Sequence, residues 1–350
     1  MSSSHHALWV VILCSNLFAC SSTSGSDGDA GLQDAATDHD AMDSIDATNG
    51  DAGTDSVQLG FNAKGTLNTT EQVALADAMF TNEFTSTLLP RIHVRVNGGT
   101  RSQTEFPSDW SDAQISAWVA LQNEHNISLV YVVNGNDTPE SQAAFIQHWI
   151  DLGARFTFLE LMNEYYKRGY RLGDTSVDGV MHMVTPAIYV DEILPAFVPV
   201  LERFDLPMFA ICAPKNDEFF AAWNTAMVEA FSTKEIMRGL NVTIHLYDYG
   251  EGVFDYNQIS DLRSLLPAGT RIAITEAGNL DPAVTTYEAA APLVVAHYEA
   301  ILAHLLPGDF LFDQILYSDY HPDDVATLHP DFAGLTPKGE AVVQFMREQE

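Results

Sequence analysis

Residues 155–166 read RFTFLELMNEYY, and this stretch decides the fold. Apolar side chains occur on both alternating faces from Arg155 to Met162, which is typical of a strand buried on both sides in a parallel sheet. The run ends abruptly on two polar residues, Asn163 and Glu164. A buried strand that delivers an amide and a carboxylate at its carboxyl end indicates a helix-covered parallel sheet with chemistry at that edge.

Seven further stretches of strand length occur along the chain, separated by longer amphipathic or apolar helical patterns. One helix per strand, repeated eight times within residues 57–350, predicts a (β/α)8 barrel of the α/β class. A doubly wound sheet is the alternative, but no glycine-rich phosphate-binding motif follows the first strand. The other predicted strands are Gln58–Asn62, Arg91–Asn97, Ser128–Asn134, Met208–Pro214, Val242–Asp248, Arg271–Glu276 and Gln314–Asp319.

Two glutamates stand directly at predicted strand ends. Glu164 follows the fourth strand, and Glu276 ends the seventh, RIAITE. The carboxyl ends of barrel strands surround one shared pocket, so we expect these two carboxylates to face each other. The other Asn-Glu pairs, at 82–83 and 123–124, fall in helical stretches and carry no such prediction.

The two strand ends resemble those of the clan A retaining glycoside hydrolases, in which strand four ends in Asn-Glu and strand seven in a nucleophilic Glu. The run FLELMNE, residues 158–164, is similar to the F-E-[IV]-W-N-E strand of the xylosidase/iduronidase type (family 39-like), with Met162 in place of Trp. The resemblance implies hydrolysis of O-glycosidic bonds by double displacement, without a cofactor or metal ion. It assigns Glu276 as nucleophile, Glu164 as acid/base and Asn163 as the partner of a sugar 2-hydroxyl.

Other strand-end residues are candidates for substrate binding. Arg95 on the second strand can support an ionised carboxylate, and a structural ion pair is its alternative role. His245 and Tyr247 on the sixth strand have the same parity and face one side together. Many clan members place a Trp after strand eight, but none occurs there in this chain, so stacking on the sugar falls to tyrosines: Tyr165, Tyr166, Tyr317 or Tyr320.

Charge and composition restrict the partners. The chain has 48 acidic and 16 basic residues, for a net charge of −32, and 46% hydrophobic residues. A nucleic-acid partner is excluded because such a protein needs a basic surface to replace phosphate counterions. The expected partner is a carbohydrate substrate; the sequence carries no signal for the oligomeric state.

The amino terminus predicts export. Residues 1–20 contain a short apolar segment followed by Leu17-Phe18-Ala19-Cys20, which resembles a lipobox in which Cys20 is lipidated. Residues 21–56 contain nine Asp and no Glu, Lys or Arg, a composition typical of a disordered acidic linker. We therefore expect the chain to be anchored by lipid alone to the bacterial cell envelope, at the outer membrane, or secreted. An ordinary secretory signal and a start codon placed too early remain alternatives.

Two other functions remain open at this stage. One is a barrel that binds a glycan without cleaving it, in keeping with Met162 and the absence of Trp after strand eight. The other is a metal-dependent barrel hydrolase that uses His93, His245 and acidic groups as ligands.

Overall fold

The computed structural model describes residues 56–63, 92–99, 101–166, 170–175, 181–215, 220–250, 253–279, 283–284, 286–317 and 335–349. All of them belong to one compact unit, Asp51–Glu350. The predicted signal peptide with Cys20, and residues 21–55 of the predicted linker, lie outside the described residues, so those predictions stay predictions.

Eight parallel strands close into a barrel, which confirms the predicted (β/α)8 fold. Around the barrel each strand pairs with its neighbours in chain order, and the first strand pairs with the last. In chain order the barrel strands are β1 Gln58–Ala63, β2 Ile92–Val96, β3 Ile127–Val133, β4 Phe156–Leu161, β7 Met208–Ile211, β8 Asn241–Asp248, β9 Ile272–Asn279 and β10 Phe310–Tyr317. A small antiparallel pair, β5 Tyr170–Thr175 and β6 Met181–Met183, follows β4 and was not predicted.

Helices alternate with these strands. They are α1 Arg101–Thr104, α2 Asp112–His125, α3 Pro139–Asp151, α4 Pro186–Ile188, α5 Leu194–Leu201, α6 Phe220–Thr233, α7 Asn257–Leu265, α8 Tyr287–Leu302 and α9 Pro337–Glu348. Side-chain caps fix several starts: Ser111 accepts from the Gln114 N–H at the start of α2, and Thr138 accepts from the Ser141 N–H at the start of α3. Within the described ranges, no helix has the length and apolarity needed to cross a bilayer.

The barrel interior is closed below the site by a packed aromatic layer. Phe158, Phe209 and Phe310 are buried, with the Phe158 and Phe209 ring centroids 4.3 Å apart. His93 belongs to this layer, because its ring centroid lies 5.3 Å from that of Phe310. Solvent and ligands therefore reach the barrel at the carboxyl ends of its strands, where the predicted site residues lie.

Candidate active site

Glu164 and Glu276 meet at the carboxyl end of the barrel. One oxygen of each carboxylate and one ring nitrogen of His245 all lie within 4.8 Å of one another. The Glu276 side chain is 3% exposed, whereas that of Glu164 is 20% exposed. The two carboxylates therefore share one pocket, with Glu276 at its floor and Glu164 nearer the opening.

The backbone after β4 turns sharply to place Glu164. Met162 and Glu164 both have positive φ, 72° and 48°, in the left-handed region that non-glycine residues seldom adopt. Such backbone persists only where surrounding contacts hold it, and it is enriched at functional sites. Here the turn stops the strand and directs consecutive side chains, Asn163 and Glu164, into the pocket mouth.

Arg95 is the centre of the buried network beneath the two glutamates. Its Nη1 donates to Glu276 Oε1 at 2.8 Å and to Asn62 Oδ1 at 2.9 Å. Its Nε and Nη2 donate to the two oxygens of Glu160 at 2.6 and 2.8 Å, and Nη2 also donates to Asn163 Oδ1 at 2.8 Å. A guanidinium has five N–H groups, and each of these acceptors takes one. The side chain is thus fixed in one orientation, with a positive charge held against Glu276.

Glu160 is a site residue whose role the sequence analysis missed. Its side chain is fully buried, and it binds Arg95 through both oxygens. Burial acts to raise the pKa of Glu160, but the charge and hydrogen bonds of Arg95 and His245 outweigh it and hold this pKa below its usual value. The available signal was its position, since an ionisable residue within an apolar strand must find a buried partner.

Gly98 makes room for the arginine. A Cβ atom at this position would lie 2.2 Å from Asn62 Oδ1 and 2.5 Å from Arg95 Nη1. Real Cβ atoms do not approach other atoms that closely, so the backbone after β2 can pass over the guanidinium only as glycine.

Tyr247 completes the environment of Glu276. Its hydroxyl donates to Glu276 Oε2, while Arg95 donates to Oε1, so each carboxylate oxygen has its own donor. Burial, followed by the negative charge of Glu276, raises the pKa of Tyr247 well above its ordinary value, and the hydroxyl keeps its proton. This arrangement stabilises a charged Glu276 and fixes the orientation of its carboxylate.

His245 links the two glutamates. Its Nδ1 lies 3.0 Å from Glu164 Oε1 and 3.8 Å from Glu276 Oε2, and its Nε2 lies 3.1 Å from Thr275 Oγ1. Burial acts to lower the pKa of His245, but the charge of Glu276 and hydrogen bonds to Glu160 and Glu164 produce a net increase. The surrounding carboxylates therefore favour the protonated form of His245 more than bulk water does.

Asn163 is oriented by the same network. Its Oδ1 accepts a hydrogen bond from Arg95, so its amide nitrogen points away from the guanidinium. Its backbone oxygen accepts from Gln103 Nε2 at 2.5 Å. The side chain can thus present N–H donors to a ligand hydroxyl.

Two of the tyrosines predicted to stack on a sugar are buried and cannot do so. Tyr165 and Tyr166 are 0% and 2% exposed, so the prediction that either stacks on a sugar is wrong. Tyr166 instead donates a hydrogen bond to Glu164 Oε1 at 3.3 Å. Tyr317 is the last residue of β10, but its side chain lies outside the described part of the chain, as does all of Tyr320.

The proposed pairing of His93 and His245 as metal ligands is wrong. His93 contacts Thr157 Oγ1 at 3.1 Å and Gln58 Oε1 at 3.4 Å, deep in the aromatic layer, whereas His245 contacts Glu164 and Thr275 at the carboxyl ends of the strands. Glu164, His245 and Glu276 are close enough to hold a cation between them. However, both oxygens of Glu276 already accept hydrogen bonds, one from Arg95 and one from Tyr247, which leaves them less available to a metal ion.

The comparisons with known proteins agree with this architecture. No protein-family model and no curated protein sequence matches the chain. Among solved structures, a GH5_18 protein from Streptomyces cattleya in complex with Manβ1-4GlcNAc has a TM-score of 0.57 at 13% identity, covering 84% of this chain and 81% of that one. The likeness shows the fold.

Two xylanases give the same result. Xylanase 10B from Thermotoga maritima has a TM-score of 0.54 at 11% identity, covering 84% of this chain and 95% of its own. Xylanase 10B from Thermotoga petrophila, in complex with xylobiose, has a TM-score of 0.52 at 11% identity with the same coverage. The barrel fold is therefore one that glycoside hydrolases use, at a sequence distance where function must be argued from the site.

Proposed function

We propose that the protein is a retaining glycoside hydrolase that cleaves O-glycosidic bonds of an oligo- or polysaccharide. The observation that carries the proposal is that one carboxylate oxygen of Glu164 and one of Glu276 lie within 4.8 Å of each other in one pocket. Retaining enzymes place their two carboxyl groups about 5–5.5 Å apart, whereas inverting enzymes leave about 6.5–9.5 Å for a water molecule. The resemblance of both strand ends to clan A enzymes supports the same assignment.

Glu276 is suited to the role of nucleophile. Its carboxylate is buried, charged against Arg95 and aimed by Tyr247. In the first step a Glu276 oxygen forms a bond to the anomeric carbon while the glycosidic C–O bond breaks, which yields a glycosyl ester. In the second step water displaces the ester and restores the carboxylate.

Glu164 is suited to the role of acid and then base. It is the more exposed of the pair, and it stands where a leaving group departs toward solvent. Glu164 and Glu276 both lie against the His245 ring, at 3.0 and 3.8 Å, and repulsion between neighbouring carboxylates favours a proton on one of them. Transfer of a proton from Glu164 to the leaving oxygen would prepare Glu164 to deprotonate the incoming water.

The experiment is the replacement of each glutamate in turn. We expect Glu276→Gln to reduce turnover of aryl glycosides below detection, and Glu164→Gln to reduce it by about 10²–10⁴-fold, the usual contribution of a positioned acid/base. Glu235→Gln, which alters a glutamate that is 76% exposed in the 3-10 turn Glu235–Met237 before β8, is the matched control and should keep full activity. Product stereochemistry followed by NMR should show retention.

Full activity in both site variants, or inversion, would reject this mechanism. Glycan binding by the wild-type chain without cleavage of any glycoside would instead favour the non-catalytic binding barrel.

The amino terminus leads to a separate proposal, which rests on sequence alone. We propose export and lipid anchoring at Cys20, supported by the apolar segment and the Asp-rich stretch that follows. Incorporation of labelled palmitate into the full chain, and its loss in Cys20→Ser, is the expected result; no incorporation would contradict it.

A further inference from the structure

A cavity of about 310 Å³ lies next to Tyr247. It lies between the end of β7 and the loop that connects β8 to α7, on the arc of the barrel between Glu164 and Glu276. Tyr247 belongs to both places, because it lines the cavity and its hydroxyl donates to Glu276. The cavity therefore shares this residue with the site at Glu276, and its size is within the roughly 300–1,000 Å³ of small-molecule pockets.

Aromatic and apolar side chains line its opening. Tyr249 is 40% exposed, with its ring centroid 6.3 Å from that of Tyr247, and Val253 is 99% exposed. Phe254 lines the same wall. Exposed rings at a pocket rim suit the apolar C–H faces of sugars. The four tryptophans of residues 57–350, Trp110, Trp118, Trp149 and Trp223, are at most 8% exposed. Tyrosine and phenylalanine are therefore left to provide such stacking surfaces.

The walls of this cavity are held in place by buried contacts. Gln258 is 2% exposed; its Oε1 accepts from the Lys215 N–H and its Nε2 donates to the Asp255 carbonyl, both at 2.8 Å. This one side chain ties the segment after β7 to the loop after β8. The ring of Phe254 packs against Tyr256 and His297 at centroid distances of 4.7 and 5.1 Å.

Charge around the cavity selects the kind of ligand. Among the described residues that line the cavity, Lys215 provides the one ammonium group, which lies 2.6 Å from Asp255 and 3.4 Å from Asp261 and pairs with both. Asp248 adds another carboxylate to the lining. A ligand carrying its own carboxylate would meet net negative charge here, whereas the hydroxyl groups of a neutral sugar can donate to these oxygens.

We propose that this cavity is a second sugar site of the same cleft, which takes the neutral sugar unit next to the one bound at Glu276. The proposal rests on the glycosidase function proposed above. It predicts an enzyme that favours neutral oligosaccharides over short glycosides and discriminates against uronic-acid chains.

The test compares wild type and Tyr249→Ala on two substrates of the same sugar, an aryl monoglycoside and a longer neutral oligosaccharide. The ratio of the two kcat/KM values, oligosaccharide over aryl glycoside, should fall about tenfold in Tyr249→Ala, as expected for truncation of one aromatic contact. Leu265→Ala, a 59% exposed position at the carboxyl end of α7, is the control whose ratio should match wild type. An unchanged ratio in Tyr249→Ala, in an enzyme that cleaves both substrates, would overturn the proposal and leave the glycosidase function intact.

A binding measurement separates the two proposals further. Calorimetry is done on the Glu276→Gln variant, with and without the additional change Tyr249→Ala. The additional change should weaken binding of the neutral oligosaccharide about tenfold, and Glu276→Gln should bind a uronic-acid oligosaccharide more weakly than the neutral one. If wild type cleaves no glycoside but this binding pattern holds, the hydrolase function fails and the sugar site stands. Tighter binding of the uronic-acid chain would overturn the assigned ligand class.

Discussion

Replacing Glu160 by Gln removes one of the two carboxylates that share the Arg95 guanidinium. In the wild type, Glu160 accepts from Nε and Nη2 at 2.6 and 2.8 Å, and both side chains are fully buried. Gln keeps one oxygen acceptor but turns an NH₂ group toward an arginine N–H, so one hydrogen bond is lost and a donor faces a donor. Removing one partner of a buried ion pair typically costs about 3–5 kcal/mol.

Two effects should follow from Glu160→Gln. The free energy of unfolding, measured with urea, should fall by about 3 kcal/mol. This is the lower end of the usual range, because Arg95 still pairs with Glu276 in the variant. The pKa of His245 should also fall, because the hydrogen bond to Glu160 helps to raise it. NMR titration of the imidazole measures this second effect.

The comparison variant is Glu160→Asp, which keeps the charge on a shorter side chain and should retain more of the His245 shift than Gln does. Wild-type stability together with an unchanged His245 titration in Glu160→Gln would refute the reasoning, since it would mean that Arg95 and His245 do not depend on this carboxylate.

Further predictions concern the same network. Arg95→Lys should lower kcat by about 10²-fold or more, because an ammonium group cannot reach Glu160, Asn62 and Glu276 together. Steady-state kinetics on an aryl glycoside measures this loss, and a wild-type kcat in the variant would contradict the prediction. Gly98→Ala should destabilise the fold by about 1–3 kcal/mol in urea unfolding, because its Cβ would overlap the arginine; equal stability would show that the loop moves freely. The raised pKa of His245 should add stability that is present below its ordinary value of 6.5 and lost as pH rises through the higher folded value; His245→Asn should flatten that decline, and parallel pH profiles would contradict it.

The strands could be predicted from the sequence because each barrel strand is a short run that must be apolar on both faces. The last strand was placed too late, at Gln314 instead of Phe310, because Asp313 interrupts the apolar pattern. The structure shows why an acid is tolerated there: Asp313 is buried and accepts from Lys338 Nζ at 2.8 Å and from the Tyr298 hydroxyl. A pattern along one segment does not reveal a partner 25 residues further on.

The site was partly predictable for a similar reason. Position at strand ends identified Glu164 and Glu276, and parity grouped His245 with Tyr247. The role of Glu160 was missed because it depends on which strand lies across the barrel, and Arg95 reaches it over 65 residues of chain. Long-range ion pairs of this kind require the closed barrel and cannot be derived from local spacing.

The hydrogen bonds of Arg95 have a consequence for the formation of glycosidic bonds by a Glu276 variant. Four of its five hydrogen bonds go to acceptors other than Glu276. Shortening Glu276 to Ala or Gly therefore leaves the guanidinium anchored and opens a small cationic space where the carboxylate stood. In the mechanism proposed above, such a vacated position would accept the fluoride of a glycosyl fluoride whose anomeric configuration is opposite to that of the substrate. The intact Glu164 would deprotonate an acceptor alcohol, and the truncated protein would then form glycosidic linkages.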